Sequence, residues 1–213
     1  MEYPGVTQHE LANARALNRA FLDCVTAAIK PRALSTGLRD ELRSLDSVQR
    51  TRLSRAPFLL FHLNYAALTG EPRPEGDLLA ETRLMPEREW RVVSATLGLL
   101  WTLCRENRHA ARFLSGASAG WCERAANACL LNLLDEAAGF DSLLVPRCQD
   151  EEPFWQTLLA ACRSTRLAEL RAVRFSAMQR LLTEVDYAGD ERLAVAACQR
   201  RDERLRIVSK PSR

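Results

Sequence analysis

Lysine is nearly missing from this chain: of 30 basic residues among 213, only Lys30 and Lys210 are not arginine. A surplus of positive charge is missing too, since 27 acidic residues leave a net charge of +3. That is far below the basic excess of a dedicated nucleic-acid binder. The arginine bias fits GC-rich coding, and hence a bacterial source. The alternative is a need for planar, bidentate donors. Histidine occurs only at positions 9, 62 and 109. No two of the seven cysteines stand as Cys-x-x-Cys, and most fall in apolar helical patterns, where a thiol acts as a small hydrophobe. This points to a reducing, cytoplasmic compartment. The first residues lack a basic stretch followed by an apolar run, so no signal peptide is expected. The longest apolar segments, 58–68 and 92–104, fall short of the roughly 20 residues that span a bilayer, so no membrane is expected. No stretch alternates at period two long enough to make a strand, and there is neither an internal repeat nor a low-complexity tract.

Helical signals are abundant. Thr7 and Glu10 form a capping-box pattern, followed by an amphipathic stripe of Leu17, Phe21, Cys24 and Ala28 that Pro31 stops. A second helix starts near 35–37, with Leu38, Leu42 and Leu45 on one side and arginines as far as Arg55 on the others. Ser54 and Pro57 read as the start of a buried helix over 58–68. Two glycines and two prolines make 70–77 a loop, and a short helix is expected near 78–83. Pro86, Glu87 and Glu89 then open the helix that organises the chain. Its residues 92–104 are apolar almost all round, so protein must surround them. Further helices are expected over 121–134, from about 152 to 162, over 165–185, and from Asp190 to about 206, with 143–145 extended before Pro146. The fold class is therefore all-α: one domain over 1–207, seven to nine helices around a buried central helix at about 86–105, and a frayed tail at 208–213. Subdivision, if any, falls at 70–77 or 139–152.

Chemistry-bearing patterns are sparse. Glu106-x-x-His109 has the spacing that gives a di-iron bundle two ligands, but such a site needs the motif twice. Cys122 and Cys129 share a helix face without the four close ligands of a zinc site. The segment Gly116-Ala-Ser-Ala-Gly120 lacks the strand and the Lys-Ser/Thr of a phosphate loop. No metal and no cofactor is expected, and enzyme is the minority reading. His62, inside an apolar stretch, reads as a hydrogen-bonded core residue ahead of a catalytic base. A small-molecule or enzymatic bundle around it would require a closed apolar pocket with a convergent polar group.

Residues 108–127 follow the order helix, glycine-containing turn, helix. The turn looks a residue or two too long for a helix-turn-helix reader, and the second helix offers few polar side chains. A buried hairpin is preferred. The nucleic-acid candidates, should the alternative hold, are Arg108, Arg112, Arg124 and Asn127. Phe113-x-x-Gly116 with the helix after it, Leu133-Leu134-x-x-Ala137 and Leu143-Leu144-Val145-x-Arg147 resemble the C-terminal half of the D subunit of the flagellar master transcriptional activator. The resemblance is confined to 108–147. It implies a helical oligomer that acts on promoter DNA with a second, zinc-bearing subunit, and it assigns no binding residue here.

Helical projection of 165–185 puts Leu167, Leu170, Met178, Leu181 and Val185 on one side, with Arg171 and Arg174 in the same sector. Arginine inside an apolar face either snorkels to the rim or sits at a protein interface. Arg171, Arg174 and Met178 are therefore the interface candidates. The expected function is a non-catalytic cytoplasmic adaptor or regulator that works through protein–protein contacts and self-associates as a homodimer. A DNA-associated regulator subunit is the alternative.

Overall fold

The computed structural model describes residues 5–27, 36–68, 85–148, 151–164 and 166–187. The expected stop at Pro31, the loop at 70–77, the helix near 78–83, the last helix from Asp190 and the tail at 208–213 lie outside the described residues. Within them the chain is all-α with one small sheet. Nine helices are present: α1 (Gln8–Ala27), α2 (Thr36–Ser44), α3 (Ser47–Ser54), α4 (Glu87–Glu106), α5 (Arg108–Ser115), α6 (Ala119–Asn127), α7 (Leu130–Ala138), α8 (Glu152–Arg163) and α9 (Leu167–Tyr187). Strand β1 (Phe61–Leu63) pairs antiparallel with β2 (Leu144–Pro146), in the register Phe61↔Pro146, His62↔Val145, Leu63↔Leu144.

Helix α4 is the central post, contacted by α1, α5, α6 and α7. Val93, Leu97, Leu100 and Cys104 are wholly buried. Each large apolar side chain withdrawn this way contributes roughly 1.5–3 kcal/mol. Thr96 is also buried, its hydroxyl donating to the Val92 carbonyl at 2.7 Å. The enclosure is incomplete: Ala95 and Thr102, seven apart, are exposed along with Arg91 and Arg105. A narrow wet stripe replaces the fully walled helix that composition implied.

At the N-terminus, the Glu10 carboxylate accepts from the Thr7 amide at 2.5 Å and the Thr7 hydroxyl accepts from the Glu10 amide at 3.2 Å. The expected capping box is formed. The long second helix is instead two, because Asp46 starts a new one. Its carboxylate accepts from the Gln49 amide at 2.7 Å, while Gln49 Oε1 accepts from the Asp46 amide at 3.1 Å.

The largest departure lies at 58–68, which is not helical. Residues 61–63 are a strand, so the chain also holds the extended pair that the missing alternation argued against. Asn18 of α1, fully buried, decides this. Its Nδ2 donates to the carbonyls of Ser54 (3.3 Å) and Phe58 (2.8 Å), and its Oδ1 accepts from the Leu60 amide at 2.8 Å. The Leu59 amide donates to the Leu114 carbonyl at 2.9 Å, the Arg147 amide to Leu60 O at 3.0 Å, and the Asn64 amide to Leu143 O at 2.9 Å. Every one of these partners is distant in sequence. Phe58, Leu59, Leu60 and Phe61 are all completely buried, and Phe21 stacks on Phe61 with ring centroids 4.7 Å apart. An apolar run without period leaves helix and buried strand undistinguished. The extended stretch before Pro146 is present as β2.

The expected helix over 121–134 breaks at Ala128 and Cys129, both extended. The Trp101 indole N–H of α4 donates to the Ala128 carbonyl at 2.9 Å, which satisfies a group the break releases.

Candidate functional site

Two regions contain the residues singled out by sequence, and they adjoin. The first is the pair α5–α6. Asn107 caps α5, its side chain accepting from the Ala110 amide at 3.0 Å. The helix ends at Gly116, whose φ of 73° is left-handed, and the Gly116 amide closes on the Arg112 carbonyl at 2.7 Å. Only glycine takes this conformation without penalty. A second constraint acts on the same atom, because a Cβ there would run into Arg147 Nη2. Ser118 then caps α6, its hydroxyl accepting from the Trp121 amide at 3.2 Å. The connection is thus Gly116-Ala117-Ser118. That is shorter than the sequence pattern indicated, and three residues with a glycine is the length of a helix-turn-helix turn.

Burial splits α6 cleanly. Trp121, Cys122 and Ala125 face α4 and α5, whereas Ala119, Gly120, Glu123, Arg124 and Asn127 are exposed. The buried hairpin expected from composition is therefore buried on one face only. Of the nucleic-acid candidates, Arg108, Arg124 and Asn127 are exposed and Arg112 is half-buried. Exposed Arg105 adds a further cation, its guanidinium 4.5 Å from the Trp101 ring centroid. Glu106 and Glu123 interrupt this surface, and Asn127 spends one amide N–H on the Glu123 carbonyl at 3.1 Å.

The second region lies behind the turn. A cavity of about 410 Å³ is bordered by β1, the turn and the end of β2, with His62, Tyr65, Ser115, Arg147 and Leu181 on its wall. Arg147 is only 5% exposed. Its Nη1 donates to the Leu114 carbonyl at 3.2 Å, and its own carbonyl accepts from the Trp155 indole at 2.8 Å. A cation set at a helix C-terminus complements the helix dipole. Burial first, and the charge of Arg147 second, push the His62 imidazole down to about 4, so the ring is neutral near pH 7. Burial holds the Tyr65 phenol well above its usual range, and its hydroxyl donates to the Ser115 carbonyl at 3.4 Å. Cys148, the residue after Arg147, has a φ of 49°, a strained conformation for a side chain with a Cβ. His62 therefore lines an open cavity and not the closed apolar pocket that a bundle enzyme would need. Sequence reasoning singled out neither Tyr65 nor Arg147 as a site residue. Each stands alone among apolar neighbours, and only the sheet pairing brings them together.

The α9 candidates separate. Leu170, Ala177 and Leu181 are buried and Met178 packs partly against the core. Arg174 turns inward and donates to the Arg52 carbonyl at the end of α3, with its pKa lowered by burial and by Arg55 and Arg15. Arg171, three residues earlier on the same helix, is exposed, so the two arginines differ in burial. Phe175, 56% exposed, is the large apolar side chain on the outer side of α9.

Among the described residues no group of three or more His, Cys, Asp or Glu could hold a metal ion, and none of the helices is long and apolar enough to cross a membrane. Comparison with family models, with curated proteins and with solved structures returns no match, so the likeness to the flagellar subunit stands on the quoted residues alone.

Proposed function

We propose that this chain is a non-catalytic regulatory protein that meets duplex DNA through α5 and α6. The supporting observation is the three-residue Gly116–Ser118 turn, joined to a second helix whose outer face is polar and whose inner face is packed. Such a helix reaches base edges while the first crosses the phosphate backbone. Exposed Ala119 and Gly120 keep the leading end of α6 slim, and Arg124 and Asn127 follow on the same outer side. Exposed Arg105 and Arg108, just before and at the start of α5, are the cations offered to the phosphate backbone. The modest net charge fits a subunit that needs help, either a second copy or a protein partner, to reach useful affinity.

Retention on duplex DNA across a salt series tests this reading. Affinity should fall with salt at a slope of about 0.9 per phosphate contacted, and Arg108→Ala should lower that slope by about 1. No retention at low salt, from monomer or assembly, would remove the proposal.

A second reading, self-association or protein docking through the outer side of α9, is favoured by exposed Phe175 beside exposed Arg171. Aromatic residues and arginine are enriched at interfaces. Native mass measured by light scattering decides it: Phe175→Glu should reduce the mass of any assembly without changing the fold.

A further inference from the structure

We propose that the arginines gathered at the end of α3 form a surface site for a small oligophosphate, a ligand whose linked phosphate groups carry several negative charges. Three helices supply them. Arg19 of α1 donates to the Thr51 hydroxyl of α3 at 2.6 Å, which lays Arg15 and Arg19, one turn apart, beside α3. Arg52 Nη1 donates to the Ser164 carbonyl at 2.9 Å, and Arg174 of α9 donates to the Arg52 carbonyl. Arg55, at the C-cap of α3, completes the group. Arg15 and Arg55 are exposed and make no side-chain hydrogen bond or ion pair among the described residues.

A solvated helix face ordinarily interleaves both signs, but here the nearby carboxylates are engaged or remote. Helix α3 contains no acidic residue, and its N-cap Asp46 lies at the opposite end. Glu10 of α1 accepts from the Thr7 amide, and Glu169 of α9 is taken by Ser164 and Arg166. Exposed Asp23, one turn past Arg19, pairs with neither arginine of α1. The guanidiniums repel one another. Half-buried Arg174 has its pKa lowered by burial first, then by Arg55 and Arg15. The negative end of α3 offsets part of this, which accounts for Arg174 but leaves the charges of Arg15 and Arg55 unanswered. Because Arg15, Arg19 and Arg55 are exposed, the ligand is held by charge and fork geometry, not by enclosure. A planar guanidinium pairs bidentately with phosphate oxygens. A monoanion gains little at a screened, open surface, whereas an oligophosphate spans several guanidiniums at once. The proposal stands apart from the DNA reading, since none of these residues belongs to α5 or α6.

Tripolyphosphate is the probe, with citrate as a carboxylate of similar charge. Calorimetry at low salt should give tripolyphosphate a dissociation constant on the order of 0.1 mM, and citrate should bind about tenfold more weakly. Arg15→Gln combined with Arg55→Gln should weaken tripolyphosphate about tenfold, and Arg15→Gln alone about threefold, with the melting temperature within a few degrees. Arg124→Ala, on α6, should leave that affinity unchanged. Equal binding of citrate, tripolyphosphate affinity that survives Arg15→Gln, or an equal loss on Arg124→Ala would each overturn the proposal. Duplex DNA is the remaining arm. A salt slope of DNA retention that the double substitution leaves unaltered supports a small-molecule site, and a slope lowered by about 2 assigns the cluster to the nucleic-acid backbone and overturns it. No DNA retention by any form removes the DNA reading and leaves the oligophosphate site standing.

Discussion

Two buried polar side chains hold the irregular middle of this protein to its helices, and they do so in opposite ways. Asn18 reaches from α1 into the 54–60 segment, is wholly buried, and makes its three hydrogen bonds to backbone groups. Arg147 sits across the sheet, binds the end of α5, and borders a cavity. A neutral amide whose partners are all backbone can only be structural. A buried cation is costly to keep, and this one is held by the Leu114 carbonyl beside a cavity. Asn18 ties a loop to a helix through a neutral amide, and Arg147 ties the sheet to the end of α5 through a cation.

The contrast can be broken at several points. Asn18→Leu leaves two carbonyls and one amide buried without partners, at about 1–3 kcal/mol each. It should cost about 4 kcal/mol in chemical denaturation, and a loss under 1 kcal/mol would strip Asn18 of its structural role. A smaller effect is expected from acid. The folded pKa of His62, about 4, lies below its unfolded value of 6.5. Its contribution is thus complete above pH 6.5 and is lost as pH falls from 6.5 toward 4. About 2 kcal/mol should disappear over that window after allowing for partial exposure. His62→Gln should flatten this part of the profile, and overlapping profiles for the two proteins would mean that the imidazole is not perturbed. Gly116→Ala meets both a left-handed backbone and the Arg147 guanidinium, and should cost about 1.5 kcal/mol. Nuclear magnetic resonance should then show the Arg147 side chain displaced, and an unmoved guanidinium would refute the clash. Least of all, Arg124→Ala on the outer face of α6 should change stability by no more than about 0.5 kcal/mol. Its effect belongs in the salt dependence of DNA retention, where an unchanged slope would count against the interface.

The helices with a clear edge were legible from residues alone. Thr7 and Glu10 announce α1, and Glu87 and Glu89 announce α4, because a cap and its helix are neighbours in sequence. Asn18 carried no such mark, because what sets it apart from the other polar positions of α1 is its distant backbone partners. The run from Phe58 to Leu63 was not legible either. With no polar residue before His62, it carries no period, and what makes it extended is a set of partners on α1, α5 and β2. The break at Ala128 is hidden for the same reason, since the indole that stabilises it belongs to α4. At the candidate site, Gly116 marked the turn, but its length depended on how far α5 and α6 extend. Arg147 had no local signature. A lone arginine after an apolar segment looks like a surface residue until the strand beside it is known.

The pairing of β1 with β2 also orders events during synthesis. Among the described residues four helices, α4 to α7, lie between the two strands in the chain, so β1 emerges from the ribosome long before its partner exists. Until then Phe58 through Leu63 is a sticky, unpaired edge of the kind that recruits other chains. Helix α1, already made, is positioned to shield it through Asn18 while the rest arrives. A fragment ending before residue 144 keeps α1 but lacks β2, and should aggregate through the strand edge left open.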